Sequence, residues 1–319
     1  MPFVRLAAPF DTFFFFRPET KTDLFFNPER FTGERMSLIT RGFPALNLEP
    51  DRLTTVVKDE RVRTRAALRI RFDPEKKAAR IDSLYRAAGM TAADLEALID
   101  DAAVRAGEAG MFSCAVTLDD GSEPVGSFLR AGFVRRRRQS VYVGTVDGLP
   151  AADVRRYRWA PVSRSVLDPF IRFRNREFKE NQAAALFDWD RRKFYGLRER
   201  NRVIGWAAAA KGSQSLYLEP CLSAAGSSEA AEALAALAER CGAEERTRIA
   251  VCADETQCLV ADCLKNRYDL AAAQGIYVKC LTRPVHLREP RSVESFPNLS
   301  VAAVQKAESK SIETYEPDF

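Results

Sequence analysis

MFSCAVTLDDGSEPVGSFLRAGFVRRRRQSVYV, residues 111–143, decides the fold, because half of it occurs again later in the chain. It reads strand, short helix, strand. Residues 111–118 are apolar and β-branched enough for a buried strand. Asp119, Asp120 and Gly121 make a turn. Residues 124–131 form a short helix closed by Gly132, and residues 138–143 form a last strand. Just upstream, residues 81–85 are extended and Thr91 opens a longer helix, with Asp94 placed as its capping-box partner. Leu95, Leu98, Ile99 and Ala102 then share one helical face. Gly107 and Gly110 end that helix.

The repeat lies 135 residues on. FLRAGFVRRRRQSVYV at 128–143 returns as CLKNRYDLAAAQGIYV at 263–278. Gln139, Tyr142 and Val143 recur as Gln274, Tyr277 and Val278, and Phe133 as Tyr268. The helix before it recurs too, with Leu234, Leu237, Ala238 and Cys241 as its stripe, followed by a strand at 247–252. A period this long is outside the solenoid range and marks two copies of one domain.

A chain of 319 residues fits two domains. With 46% hydrophobic and 29% charged residues it is an ordinary globular composition. No apolar run reaches the roughly 20 residues of a membrane helix. Acidic residues at Asp11, Glu19 and Asp23 break any signal-peptide pattern, so a cytoplasmic location is expected, with an organellar matrix as the alternative. There are seven cysteines without a C-x-x-C pair and a single histidine, His286. That argues against a clustered zinc site and against a histidine general base, and the cysteines read as reduced core residues. Net charge is +5, too modest to diagnose nucleic-acid binding. Arginines alternate at 61, 63 and 65 and at 69 and 71, and run from 135 to 138. On strands such residues share a face, either as an anion site or as a solvated sheet face or edge.

In chain order, residues 13–16 read as a first strand and 28–39 as a helix. Strands follow at 53–58, 65–72 and 78–85, then the block above. Residues 146–156 are a linker with Gly and Pro. The second copy starts with a strand at 158–161 and a helix at 168–186. It continues with strands at 193–198, 203–209 and 215–218, and a helix at 227–241. Domain bounds are therefore 1–145 and 157–284, with a tail at 285–319.

This order resembles the GNAT acyltransferase fold written twice, and SFLRAGF at 127–133 is similar to that family's fourth helix and its Gly-Phe ending. The resemblance implies an α/β (α+β) fold of two tandem GNAT-like domains, each a mixed, largely antiparallel twisted sheet flanked by helices. It also implies an acyl-CoA pyrophosphate held by backbone N–H groups at the start of the main helix. In the first copy that loop is Ala87-Ala88-Gly89-Met90-Thr91-Ala92, with Ala88, Met90 and Ala92 at the family's glycine positions, no leading basic residue, and Asp94 opposing an anion. In the second copy it is Ser223-Ala224-Ala225-Gly226-Ser227-Ser228, after Pro220. Ala225, Gly226, Ser227 and Ser228 are thus the cofactor-binding candidates, and Glu229 opposes the anion. The resemblance further implies a pantetheine arm between strands 215–218 and 247–252. At the family's acid position, a tyrosine, this chain has Phe128 and Cys263. A phenyl ring donates no proton, and Cys263 is either a thiol acid or a small core residue. Glu219 is the candidate base, or else an exposed strand-end acid.

Three functions follow. The first is a tandem GNAT-fold binding or structural subunit without catalysis, requiring no cofactor and docking on a protein partner or a second copy through its tail. Phe296, Leu299, Val301, Val304 and Phe319 supply the apolar anchors there. The second is an active N-acyltransferase using acetyl-CoA or another acyl-CoA in the second domain. The third is a nucleic-acid-associated protein using the arginine strands.

Overall fold

The computed structural model describes residues 3–8, 11–15, 19–25, 27–32, 52–58, 63–74, 77–151, 154–163, 193–199, 202–212, 215–223 and 226–281. The first half contains β1 (Phe3–Leu6), α1 (Thr12–Phe15), β2 (Lys21–Leu24), α2 (Asn27–Thr32), β3 (Arg52–Lys58), β4 (Thr64–Asp73), β5 (Ala78–Arg86), α3 (Ala92–Glu108), β6 (Ser113–Asp119), α4 (Pro124–Arg130) and β7 (Val134–Thr145). The second half contains β8 (Arg158–Pro161), β9 (Lys193–Glu199), β10 (Arg202–Lys211), β11 (Ser215–Leu222), α5 (Ser227–Arg240), β12 (Arg248–Asp254), α6 (Cys258–Lys265) and β13 (Asp269–Cys280). The order from β3 to β7 repeats from β9 to β13, helices included. The expected helix at 168–186, residues 33–39 and the tail lie outside the described residues. No helix among the described residues is long and apolar enough to cross a membrane.

All the described strands belong to one sheet, in the order β1-β3-β4-β5-β6-β13-β7-β12-β11-β10-β9-β8, with β2 added at β5. The two halves have exchanged their last strands. β6 pairs with β13 of the second half, and β12 pairs with β7 of the first. β7 and β13 pair with each other, Gln139 opposite Gln274. Ser140 faces Ala273 and Arg138 faces Gly275, so the register is symmetric about that glutamine pair. Even the two bulges, at Leu270/Ala272 and at Ile276/Tyr277, are related by the same axis.

Period-2 alternation then sends each recurring tyrosine into the other half's core. Tyr277 packs with Leu95, Leu98, Ile99 and Phe128 under α3 and α4. Tyr142 packs with Leu234, Leu237 and Leu264 under α5 and α6. The helical stripes read from sequence are the buried ones: Leu98, Ile99, Ala102, Leu234, Leu237 and Ala238 are each 0% exposed.

Residues 12–15 are helical, where a strand at 13–16 was expected. A strand would send Phe14 and Phe15 to opposite faces. In a helical turn neighbouring side chains diverge by only about 100°, so both reach one cluster. Phe14 is buried with Val56, Ala67 and Tyr85, and the Phe15 ring meets Tyr85 edge-on at 4.8 Å. α2 leaves the first half and lies on the second. Phe31 stacks on Tyr217 at 6.4 Å, and the Ser215 hydroxyl donates to the Thr32 carbonyl. Gly212 is required there, since a side chain would meet that same carbonyl.

Candidate functional site

Each half sets a helix N-terminus beside a parallel strand pair that parts after a few residues. In the first half β5 and β6 pair only over Ala78–Arg80 and Ser113–Ala115. In the second, β11 and β12 pair over Ser215–Leu218 and Arg248–Val251.

The N-terminus of α3 is already closed by its own side chains. Thr91 Oγ1 accepts from the Asp94 N–H at 3.2 Å, and Asp94 Oδ2 accepts from the Thr91 N–H at 2.9 Å. Arg65 lies 3.4 Å from the same carboxylate and donates to the Gly89 carbonyl at 3.1 Å. Two of the donors a pyrophosphate would use are therefore taken, and a buried carboxylate stands in the way. A pyrophosphate does not fit here.

The N-terminus of α5 is different. Gly226 is its N-cap, extended at φ −165° and ψ 168°, with no side-chain cap. A side chain at Gly226 would meet nothing within 4 Å among the described residues. The first intrahelical bond runs from the Ala230 N–H to the Gly226 carbonyl at 3.1 Å. The N–H groups of Ser227, Ser228 and Glu229 precede it and have no acceptor within the helix. Ala225 lies outside the described residues. Arg156, 73 residues away in sequence, ion-pairs with Glu229 and reaches Glu232 at 3.6 Å. The acid expected to repel an anion is thus neutralised, and a guanidinium stands at the helix start. Sequence reading missed it because no local signal links Arg156 to residue 229. These residues fit a phosphate group.

The catalytic candidates are separated. Cys263 lies on α6, 7% exposed, with its thiol donating to the Val260 carbonyl at 3.1 Å. Burial pushes that thiol up to about 11. Phe128, its counterpart, is fully buried against Phe133 and Phe25. Glu219 is half-buried within β11, not beyond its end as expected. It lines a cleft of about 60 Å³ with Asn27, Pro28, Arg80, Gln139 and Tyr217. Both halves contribute to that cleft, and α2 roofs it.

Beside the cleft, at the symmetry axis, is a polar network that sequence reading did not find. Gln274 is 1% exposed. It exchanges hydrogen bonds with Asn27 at 2.7 and 3.0 Å, accepts from Gln139 at 3.0 Å and donates to Asp119 at 2.9 Å. Arg30 grips Asp119 with two bonds of 2.7 and 2.9 Å. Partial burial alone would raise the Asp119 carboxyl, but the bonds from Arg30 and Gln274 outweigh it and hold it below the usual range.

The arginine strands are neither an open anion site nor a wholly solvated face. Arg69, Arg71 and Arg80 are 7%, 7% and 8% exposed. Asp82 sits among them, 2.7 Å from Arg80 and 3.3 Å from Arg71. Arg135, Arg136 and Arg138 on β7 are exposed.

No protein-family profile and no curated protein matches the sequence. Solved structures do. A GCN5-related N-acetyltransferase from Sphaerobacter thermophilus superposes with a TM-score of 0.50 at 9% identity, covering 88% of this chain and 96% of that one. This chain has the GNAT fold. A protein from Thermoplasma acidophilum assigned as an acetyltransferase also has a TM-score of 0.50, at 12% identity, covering 87% of this chain and 99% of that one. At these identities the likeness is one of fold. Within the GNAT fold, the parted strands and the following helix N-terminus are where the sequence resemblance placed acyl-CoA; among the described residues α3 has a side-chain cap there and α5 has none.

Proposed function

We propose that this chain is a non-catalytic GNAT-fold subunit, with one weak acyl-CoA site at the start of α5 and a binding or structural role. The carrying observation lies at the two positions of the family's acid: Phe128 is a fully buried phenyl ring that donates no proton, and Cys263 is a buried thiol already bonded to the Val260 carbonyl. The open Gly226 cap and Arg156 support residual binding. A binding role would make residues 285–319 the docking segment for a protein partner or a second copy, in the cytoplasm.

The test pairs turnover with binding. Thiol release from acetyl-CoA with a panel of amines should stay at the buffer rate. Millimolar acetyl-CoA should raise the melting temperature of wild type. Gly226→Leu, which puts a bulky side chain at the cap, should abolish that shift. Glu229→Gln, which frees Arg156 for an incoming phosphate, should enlarge it. The competing function, acyl transfer in the second half, is favoured by the placement of Glu219 on the strand beside the open cap. It would show as thiol release that Glu219→Gln removes, and that result would refute the non-catalytic reading.

A further inference from the structure

Where β5 and β6 part, the first half is not open. β2 lies along β5, with Lys21 opposite Arg86, Thr22 opposite Tyr85, Asp23 opposite Leu84 and Leu24 opposite Ser83. β4 occupies the other edge of β5 over the same residues, so β2 must sit on the edge that β6 leaves. The Phe25 N–H continues the ladder to the Asp82 carbonyl at 2.8 Å.

We propose that this opening is a strand-accepting slot for an extended peptide, filled in cis by residues 21–25. Three observations converge on it. First, an edge abandoned by its neighbour carries backbone donors and acceptors that need partners, and β2 supplies them in antiparallel register. Second, the slot reads side chains. Arg86 holds Asp23 through two contacts, at 2.7 and 3.0 Å, and is itself held by Glu123 at 2.7 Å. The Phe25 ring is 8% exposed and stands edge-on to Phe128 at 6.3 Å. Third, β2 forms one wall of a cleft of about 330 Å³ whose far wall is Thr117 and Asp119 of β6, so the strands remain apart around their guest. The ligand class is an extended peptide with a carboxylate for Arg86 and an aromatic ring two residues later. An arm of amides such as pantetheine would compete for the same edge, so the first half is closed to it while β2 is in place. The slot rests on the first half and holds whether or not the second half binds acyl-CoA.

Hydrogen exchange on the full chain tests it. The Phe25–Asp82 bond sets the ladder so that Asp23 and Leu84 are a hydrogen-bonded pair. Asp23→Pro deletes one donor and the Arg86 contact together. The Leu84 and Arg86 amides should then exchange at least tenfold faster than in wild type. A synthetic peptide of residues 20–27 should restore their protection in Asp23→Pro and leave wild type unchanged. Equal exchange in the two proteins, or no rescue by the peptide, overturns the proposal. If Asp23→Pro does not fold, Leu24→Cys with Ser83→Cys decides, since these face each other in a non-hydrogen-bonded pair suited to a disulfide. Peptide mapping should find that cross-link formed quantitatively under mild oxidation, and its absence overturns the strand register on which the slot depends.

Discussion

Gln274 bonds to Asn27, Gln139 and Asp119 of the first half, and its substitution should be felt in both halves. Truncating it to Ala removes four hydrogen bonds and leaves Asn27 and Gln139 buried without that partner. A loss of about 2–4 kcal/mol is expected in urea unfolding, from about 1 kcal/mol per neutral bond plus the desolvated groups. Gln139→Ala, which breaks one of these bonds, should cost less. Asp119 gives this network a pH dependence. Its folded carboxyl lies below the free value of about 3.9, so its stabilisation is complete above that pH and is lost as pH falls through the lowered value. The stability gap between wild type and Arg30→Ala should therefore be full at pH 6 and narrow steadily below about pH 4. Gly144 is constrained by sterics instead: a Cβ there would overlap the Tyr268 ring, whose hydroxyl is anchored to the Thr145 carbonyl at 2.7 Å. Gly144→Ala should cost about 1–3 kcal/mol by overpacking.

Among the elements, α3 and α5 start in opposite ways, and that contrast predicts their responses. Thr91→Ala should destabilise by about 1 kcal/mol through loss of the capping box, measured by thermal unfolding. Gly226→Ser, adding a cap where none exists, should stabilise by a few tenths of a kcal/mol and weaken acetyl-CoA binding by occupying the same N–H groups. Much of this was legible in the sequence because it is local. The i, i+3, i+4 stripes, the Thr91–Asp94 pair and the turns at Gly121 and Gly132 each rest on residues a few positions apart. What stayed hidden is non-local. Nothing near Arg156 announces Glu229, and nothing in KTDL announces the edge of β5. Residues 13–16 have β-compatible side chains, but the cluster of Val56, Ala67 and Tyr85 selects a helical turn. The alternation of Arg69 and Arg71 was visible as a shared face, whereas their burial around Asp82 depends on what covers that face.

For the molecule as a whole, the repeat at 135 residues revealed duplication but was silent on which strand lies beside which. A copy that keeps its last strand and a copy that lends it away have the same pattern. The exchange has a direct test. A protease site inserted between Ala151 and Val154, cut to completion, should leave the two fragments together through gel filtration and part them only in denaturant. Separation under native conditions would contradict the order β6-β13-β7-β12. The same exchange imposes a schedule on synthesis. Gln274, which joins Asp119 at the end of β6, is made 155 residues after it. At roughly 5–20 residues per second that is a delay of about 8–30 s. During it the first half exists on the ribosome with the edge of β6 bare and the pocket for Tyr277 unfilled. The nascent chain passes through a long interval in which it is sticky by construction, and the duplication becomes self-sufficient only when its second copy is almost complete.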